Sequence, residues 1–80
     1  MTNQDKNEDL TGRLGSPGWR LKTGKTGETP VTGTLEHMVR ATHDRKSQGQ
    51  SPGLIEEIET RVELDLIQIE KLWRYLGLPV

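Results

Sequence analysis

The sequence predicts an all-α fold, in which an antiparallel helical hairpin follows a disordered N-terminal tail. Three observations predict this class: the first third of the 80 residues is poor in apolar side chains, and two later segments carry them at helical spacing. The predicted elements are a tail over residues 1–33, a short helix over about 34–47 and a long helix over about 52–76. Residues 34–80 would then form a two-helix interaction domain.

The tail prediction depends on composition. Residues 1–33 hold six isolated apolar residues together with six Gly and six Thr. A segment that buries little apolar surface does not offset the entropy of ordering its backbone. Trp19 is followed by the basic residues Arg20 and Lys22. It is either part of a short docking motif or a base-stacking contact, or an incidental Trp in a solvated tail, and we favour the last interpretation.

The short helix is predicted from spacing and end signals. Thr34 or Thr32 is a suitable N-cap, and Gln48-Gly49-Gln50 is expected to end the helix. The positions that follow the i, i+3, i+4, i+7 pattern are Leu35, Met38, Val39 and Thr42.

The long helix is predicted from both ends and from its period. Ser51 is a good N-cap and Pro52 suits the first helical position, whereas Gly77 and Pro79 are typical of a helix end. Its apolar stripe is predicted to contain Leu54, Ile55, Ile58, Val62, Leu66, Ile69, Leu72, Trp73 and Leu76. Asp65 is the one polar residue on this seam. It either sets the register or recognises a basic group on a partner, or it pairs with Arg61, Arg40 or His37, and we favour the pairing.

The unequal lengths of the two helices predict a binding surface. The short helix would cover the long one only from about residue 54 to residue 66, and apolar residues also lie on the opposite face of the long helix. Burial of one large apolar side chain contributes about 1.5–3 kcal/mol, so several exposed ones favour a covering partner. The predicted protein-binding residues are Leu64, Ile67, Ile69, Leu72, Trp73, Tyr75 and Leu76. A second copy of the chain, giving a homodimer, and a different protein are equally supported.

The charge divides unevenly along the chain. Residues 1–50 carry eight Lys/Arg against six Asp/Glu, and residues 51–80 carry three against six. Neither half is strongly basic, so direct nucleic-acid binding is not expected. The division suggests either that the tail lies weakly against the acidic half, or that the acidic half prefers a basic partner surface.

The residue types argue against catalysis and cofactors. The chain has no Cys and no organised carboxylates, and its two histidines, His37 and His43, are six positions apart on one short helix, so neither a metal site nor a catalytic triad is predicted. No apolar run approaches the length of a membrane span, which predicts a chain that does not enter membranes. The predicted location is the cytoplasm, in keeping with the lack of Cys.

The segment LEHMVRATHDRKSQGQSPGLIEEIETRVELDLIQIEKLWRYLGLPV, residues 35–80, resembles the QseM-like quorum-sensing antiactivators of rhizobial integrative and conjugative elements. The resemblance also covers the short length and the polar tail. It implies a protein that binds transcriptional activators, a LuxR-type quorum-sensing regulator and an activator of element excision, and so represses conjugative transfer. It implies no catalytic residues.

Two other functions are open at this point. The chain could be a homo-oligomeric helical structural module, which would show a mass that depends on concentration. It could also be a nucleic-acid accessory protein that uses Arg20, Lys22 and Lys25 of the basic tail.

Overall fold

The all-α prediction is wrong, because the chain contains a four-stranded antiparallel sheet. The structure, a computed structural model, describes residues 10–24 and 31–79. The strands are β1 (Trp19–Lys22), β2 (Val31–Gly33), β3 (Leu54–Glu57) and β4 (Glu63–Leu64), and their order in the sheet is β2-β1-β3-β4. The helices are α1 (Leu35–Ser47) and α2 (Leu66–Tyr75), and residues 10–12 are helical as well.

Strand β1 occupies an inner position, between β2 and β3. Its residues alternate, because Trp19 and Leu21 are buried while Lys22 on the opposite face is exposed. Arg20 lies opposite Thr32 of β2 and Glu56 of β3. The predicted disordered tail is therefore wrong for residues 10–24 and 31–33, whereas residues 1–9 and 25–30 lie outside the described part of the chain.

The predicted long helix over 52–76 is also wrong, since this segment divides into β3, β4 and α2. Ile55 pairs with Leu64 across the β3–β4 hairpin, and both side chains are buried. The helical spacing of the apolar residues was misleading, because of the stripe residues between 52 and 64 only Ile55 is buried, whereas Leu54, Ile58 and Val62 are exposed. Gly53 has φ +85°, outside the helical region, so no helix continues through it.

The short helix was predicted correctly. The Thr34 hydroxyl accepts a hydrogen bond from the His37 backbone N–H at 3.1 Å, as an N-cap does. The four residues of its predicted stripe are all buried. The end signals near residue 77 were also read correctly, because Gly77 has φ +77° and the Leu78 N–H donates to the Trp73 carbonyl at 2.8 Å.

The core lies between the sheet and the helices, on one face of the sheet. Its apolar members are Leu10, Leu14, Trp19, Leu21, Leu35, Met38, Val39, Ile55, Leu64, Ile69, Leu72 and Trp73. Four of the twelve precede residue 33, so the predicted boundary between a tail and a domain does not divide the described residues into separate units. Helix α1 packs on β1, β2 and β3, and α2 packs on α1.

Candidate functional site

Helix α2 begins at a capping box formed by Asp65 and Gln68. The Asp65 carboxylate accepts from the Gln68 backbone N–H at 2.8 Å, and the Gln68 side-chain oxygen accepts from the Asp65 N–H at 3.1 Å. Asp65 is therefore a helix cap, and the predicted ion pair with Arg61, Arg40 or His37 is wrong. The pattern Asp65-Leu66-Ile67-Gln68 is the sequence signal that would have located this helix start.

The inner face of α2 is part of the core. Ile69, Leu72 and Trp73 are all buried. The Trp73 indole N–H donates at 3.1 Å to the Val39 carbonyl and at 3.1 Å to the Thr42 hydroxyl, both on α1. These contacts make Trp73 the residue that holds the two helices together.

The outer face of α2 is exposed to solvent, and we define it as Ile67, Lys71, Arg74 and Tyr75. Ile67 is 66% exposed and Tyr75 is 63% exposed, large fractions for an isoleucine and a tyrosine. Lys71 and Arg74 are exposed between them. From Ile67 to Tyr75 the face is about 12 Å long at the helical rise. Within the described part of the chain, this face brings exposed apolar, aromatic and basic side chains together on one helix.

The seven predicted binding residues do not form one surface. Leu64, Ile69, Leu72 and Trp73 are buried, and Leu76 is half-buried against the core. Only Ile67 and Tyr75 are exposed, and both belong to the outer face of α2. The structure thus separates the predicted set into core residues and two residues that a partner can reach. Lys71 and Arg74 were missed, because the prediction followed apolar side chains alone.

The face of the sheet opposite the helices carries ion pairs between the two halves of the chain. The Arg20 Nε donates to Glu56 at 3.0 Å, and the Lys22 ammonium lies 2.7 Å from the Glu63 carboxylate and 3.8 Å from Glu56. The hydrogen bond from Arg20 is the main cause that lowers the pKa of Glu56 below its ordinary value. The hydrogen bond to Glu63, with the charge of Glu56, raises the pKa of Lys22.

These ion pairs bring together the opposite charges of the two halves of the chain. The basic residues of β1 neutralise the acidic residues of β3 and β4, so the expectation that the N-terminal segment lies against the acidic half is confirmed within the described residues. The cations proposed for a nucleic-acid accessory function are engaged as well: Arg20 and Lys22 both have carboxylate partners, and Lys25 lies outside the described residues. This arrangement leaves little for phosphates to bind there.

An open cleft of about 400 Å³ lies beside the β3–β4 turn and the start of α2. Its lining is formed by Leu10, Arg13, Trp19, Glu57, Thr60, Val62, Glu63, Leu64 and Gln68. The Thr60 hydroxyl and the Arg13 guanidinium both donate to the Glu57 carboxylate, and together they lower the pKa of Glu57. A carboxylate held as an anion in this way is poorly suited to proton transfer near neutral pH.

The described residues contain no group of three or more His, Asp or Glu side chains that could hold a metal ion. Among the same residues, no helix is both long and apolar enough to cross a bilayer. Comparisons with protein families, with curated proteins and with solved structures found no match. The outer face of α2 is therefore the candidate site on geometric grounds alone.

Proposed function

We propose that the protein is a cytoplasmic antiactivator without enzymatic activity, which binds transcriptional activators and represses conjugative transfer of a mobile element. The resemblance of residues 35–80 to the QseM-like antiactivators suggests the targets, a LuxR-type quorum-sensing regulator and an activator of excision. The observation that carries the proposal is the outer face of α2, where Ile67 and Tyr75 stay exposed on a helix whose opposite face is fixed in the core.

An exposed helix face of this kind can inhibit an activator by binding to a surface that the activator needs for its own contacts. A short rigid helix can lie in an apolar groove of an activator and compete with the dimer partner, the DNA or the polymerase for that surface. Tyr and Arg are enriched among the residues that dominate binding energies, and Tyr75 and Arg74 are neighbours at the end of this face. Trp73 supports the face from the inside and does not itself meet the partner.

The proposal predicts that Ile67→Ala combined with Tyr75→Ala abolishes repression. The test is a reporter gene driven by a LuxR-type activator, with the protein expressed alongside it. Truncation of two central binding residues is expected to weaken binding by about 30-fold or more, because each residue of this kind contributes on the order of 1–2 kcal/mol. The reporter should then return to its uninhibited level.

The matched control is Leu54→Ala combined with Ile58→Ala. These two residues are each 39% exposed and lie outside α2, so their removal should leave repression intact. Thermal melts of both double variants establish that each is folded. Repression that survives Ile67→Ala with Tyr75→Ala in a folded protein would contradict the proposal, as would equal loss of repression in the control.

A further inference from the structure

We propose that the outer face of α2 binds an acidic amphipathic segment of its partner, an inference that deepens the proposed function and rests on it. The face presents two apolar side chains, Ile67 and Tyr75, with Lys71 and Arg74 beside them. At 100° per residue these four positions fall within an arc of about 100°. A segment that matches this arc must pair apolar side chains with Ile67 and Tyr75 and place carboxylates near the two cations.

The charge on this face is not neutralised by the chain itself. Across residues 10–24 and 31–79, Lys71 and Arg74 have no ion pair, whereas Arg13, Arg20, Lys22 and Arg40 each have a carboxylate partner. Three of the six acidic residues of 51–80, namely Glu56, Glu57 and Glu63, meet basic residues of the N-terminal segment at the sheet. The opposite prediction, that the C-terminal half prefers a basic partner, does not fit this arrangement.

A second copy of the chain is a poor occupant for the same face. In a two-fold antiparallel pairing, residues at equal distances on either side of the axis meet each other, and only a residue on the axis meets its own symmetry mate. With the axis at Lys71, midway between Ile67 and Tyr75, Ile67 of each copy meets Tyr75 of the other and the two Lys71 ammonium groups face each other. Juxtaposed like charges disfavour such an interface.

A membrane surface is a weaker fit than a protein segment. Attraction to an anionic bilayer grows with the number of basic residues near its surface, and this face has only two. Stable attachment of an interfacial helix also requires a broad apolar face, but the apolar residues Ile69, Leu72 and Trp73 of α2 are buried in the core. The remaining apolar surface matches the width of one partner helix.

The test measures binding of two labelled model peptides to the full chain by fluorescence anisotropy. One is a 15-residue amphipathic helix with Leu on one face and Glu flanking it, and the other has Lys in place of every Glu. The protein is expected to bind the Glu peptide about tenfold or more tightly than the Lys peptide at low salt, and added salt should reduce the difference. Lys71→Glu with Arg74→Glu should reverse the preference.

The matched control is Arg40→Glu, which makes the same kind of charge reversal as Lys71→Glu at an exposed position of α1. This variant should keep the preference for the Glu peptide. Equal binding of the two peptides by the unaltered protein, or a preference that Lys71→Glu with Arg74→Glu leaves unchanged, overturns the inference. Circular dichroism of each variant confirms that the fold is present.

Two further measurements distinguish the other occupants. Sedimentation of the unaltered chain would show a dimer that Ile67→Ala dissociates if a second copy covers the face. If the chain binds phosphatidylserine vesicles and shows no preference between the two peptides, the face is assigned to membranes. The inference is overturned by this result and equally by such a dimer. If Lys71→Glu leaves repression intact and Ile67→Ala with Tyr75→Ala removes it, the proposed function is retained and the acidic partner is rejected. Peptide preference without any repression would reject only the proposed function.

Discussion

Gly53 is the residue at which the backbone departs from the predicted long helix. It has φ +85°, and a Cβ at this position would lie 2.7 Å from the Lys22 carbonyl oxygen of the neighbouring strand. Both the backbone angle and the close approach of β1 require glycine here. A position that reads as the first turn of a helix is thus a point of contact between two strands that are distant in sequence.

Gly53→Ala is expected to destabilise the protein by about 2–3 kcal/mol, because the left-handed conformation costs about 1–2 kcal/mol for alanine and the contact with Lys22 adds to it. Gly49→Ala is the matched control, since Gly49 has φ +79° but no atom within 4 Å of its Cβ position. The measurement is the free energy of unfolding in urea. Equal losses in the two variants would show that the approach of β1 to Gly53 is absent.

At the scale of the elements, β1 and β3 are joined by an ion pair as well as by backbone hydrogen bonds. Glu56 is only 5% exposed and accepts from Arg20, which lies directly opposite it. The pKa of Glu56 is lower in the folded protein than its ordinary value of 4.5. The folded state therefore binds fewer protons than the unfolded state, and acidification below about pH 4.5 favours unfolding.

Glu56→Gln should lower stability at pH 7, and the difference from the unaltered protein should shrink as the pH falls towards 3. The unaltered protein loses the contribution of its carboxylate in that range, while the variant has none to lose. Urea unfolding between pH 7 and pH 3 measures this. Glu59→Gln, which removes an exposed carboxylate without an ion pair among the described residues, should follow the profile of the unaltered protein. Parallel profiles for all three proteins would contradict the pairing of Glu56 with Arg20.

The elements differ in how far their own sequence determines them. Helix α1 could be predicted because its cap at Thr34 and its buried stripe are both local signals. Strands β1 and β3 could not, because their pairing joins Arg20 to Glu56 across 36 positions. The four-residue alternation Trp19-Arg20-Leu21-Lys22 is a strand signal, but the polar composition around it concealed it.

The candidate site could be predicted only in part, because which residues are exposed also depends on packing between distant parts of the chain. Ile67 and Tyr75 were assigned to a binding surface as the back of a long helix, and the structure leaves them exposed on α2. Leu64 was assigned to the same opposite face, whereas Ile69, Leu72, Trp73 and Leu76 were assigned because nothing in a two-helix hairpin would cover them. In the structure, the sheet and α1 complete a core that buries Ile69, Leu72 and Trp73, so these three residues are not part of an exposed surface.

At the scale of the whole molecule, residues far apart in the chain build one core. Leu10, Trp19 and Leu21 come from the segment predicted to be disordered, and they pack with residues of both helices. The outer face of α2 depends on this core, because only a buried inner face fixes Ile67 and Tyr75 towards solvent. The central claim is therefore that β1 is an ordered inner strand and that residues 52–64 are not helical.

Amide hydrogen exchange of the full chain tests this claim most directly, because it reports on each backbone N–H separately. Slow exchange is expected for the amides of β1 that are hydrogen-bonded to β2 and β3, at a level similar to those within α1. The amides of Glu59 and Thr60, in the turn between β3 and β4, should exchange fast, whereas a helix over residues 52–76 would protect them. Exchange of residues 19–22 at the rate of an unstructured chain, together with continuous helical protection from residue 52 to residue 76, would contradict the account.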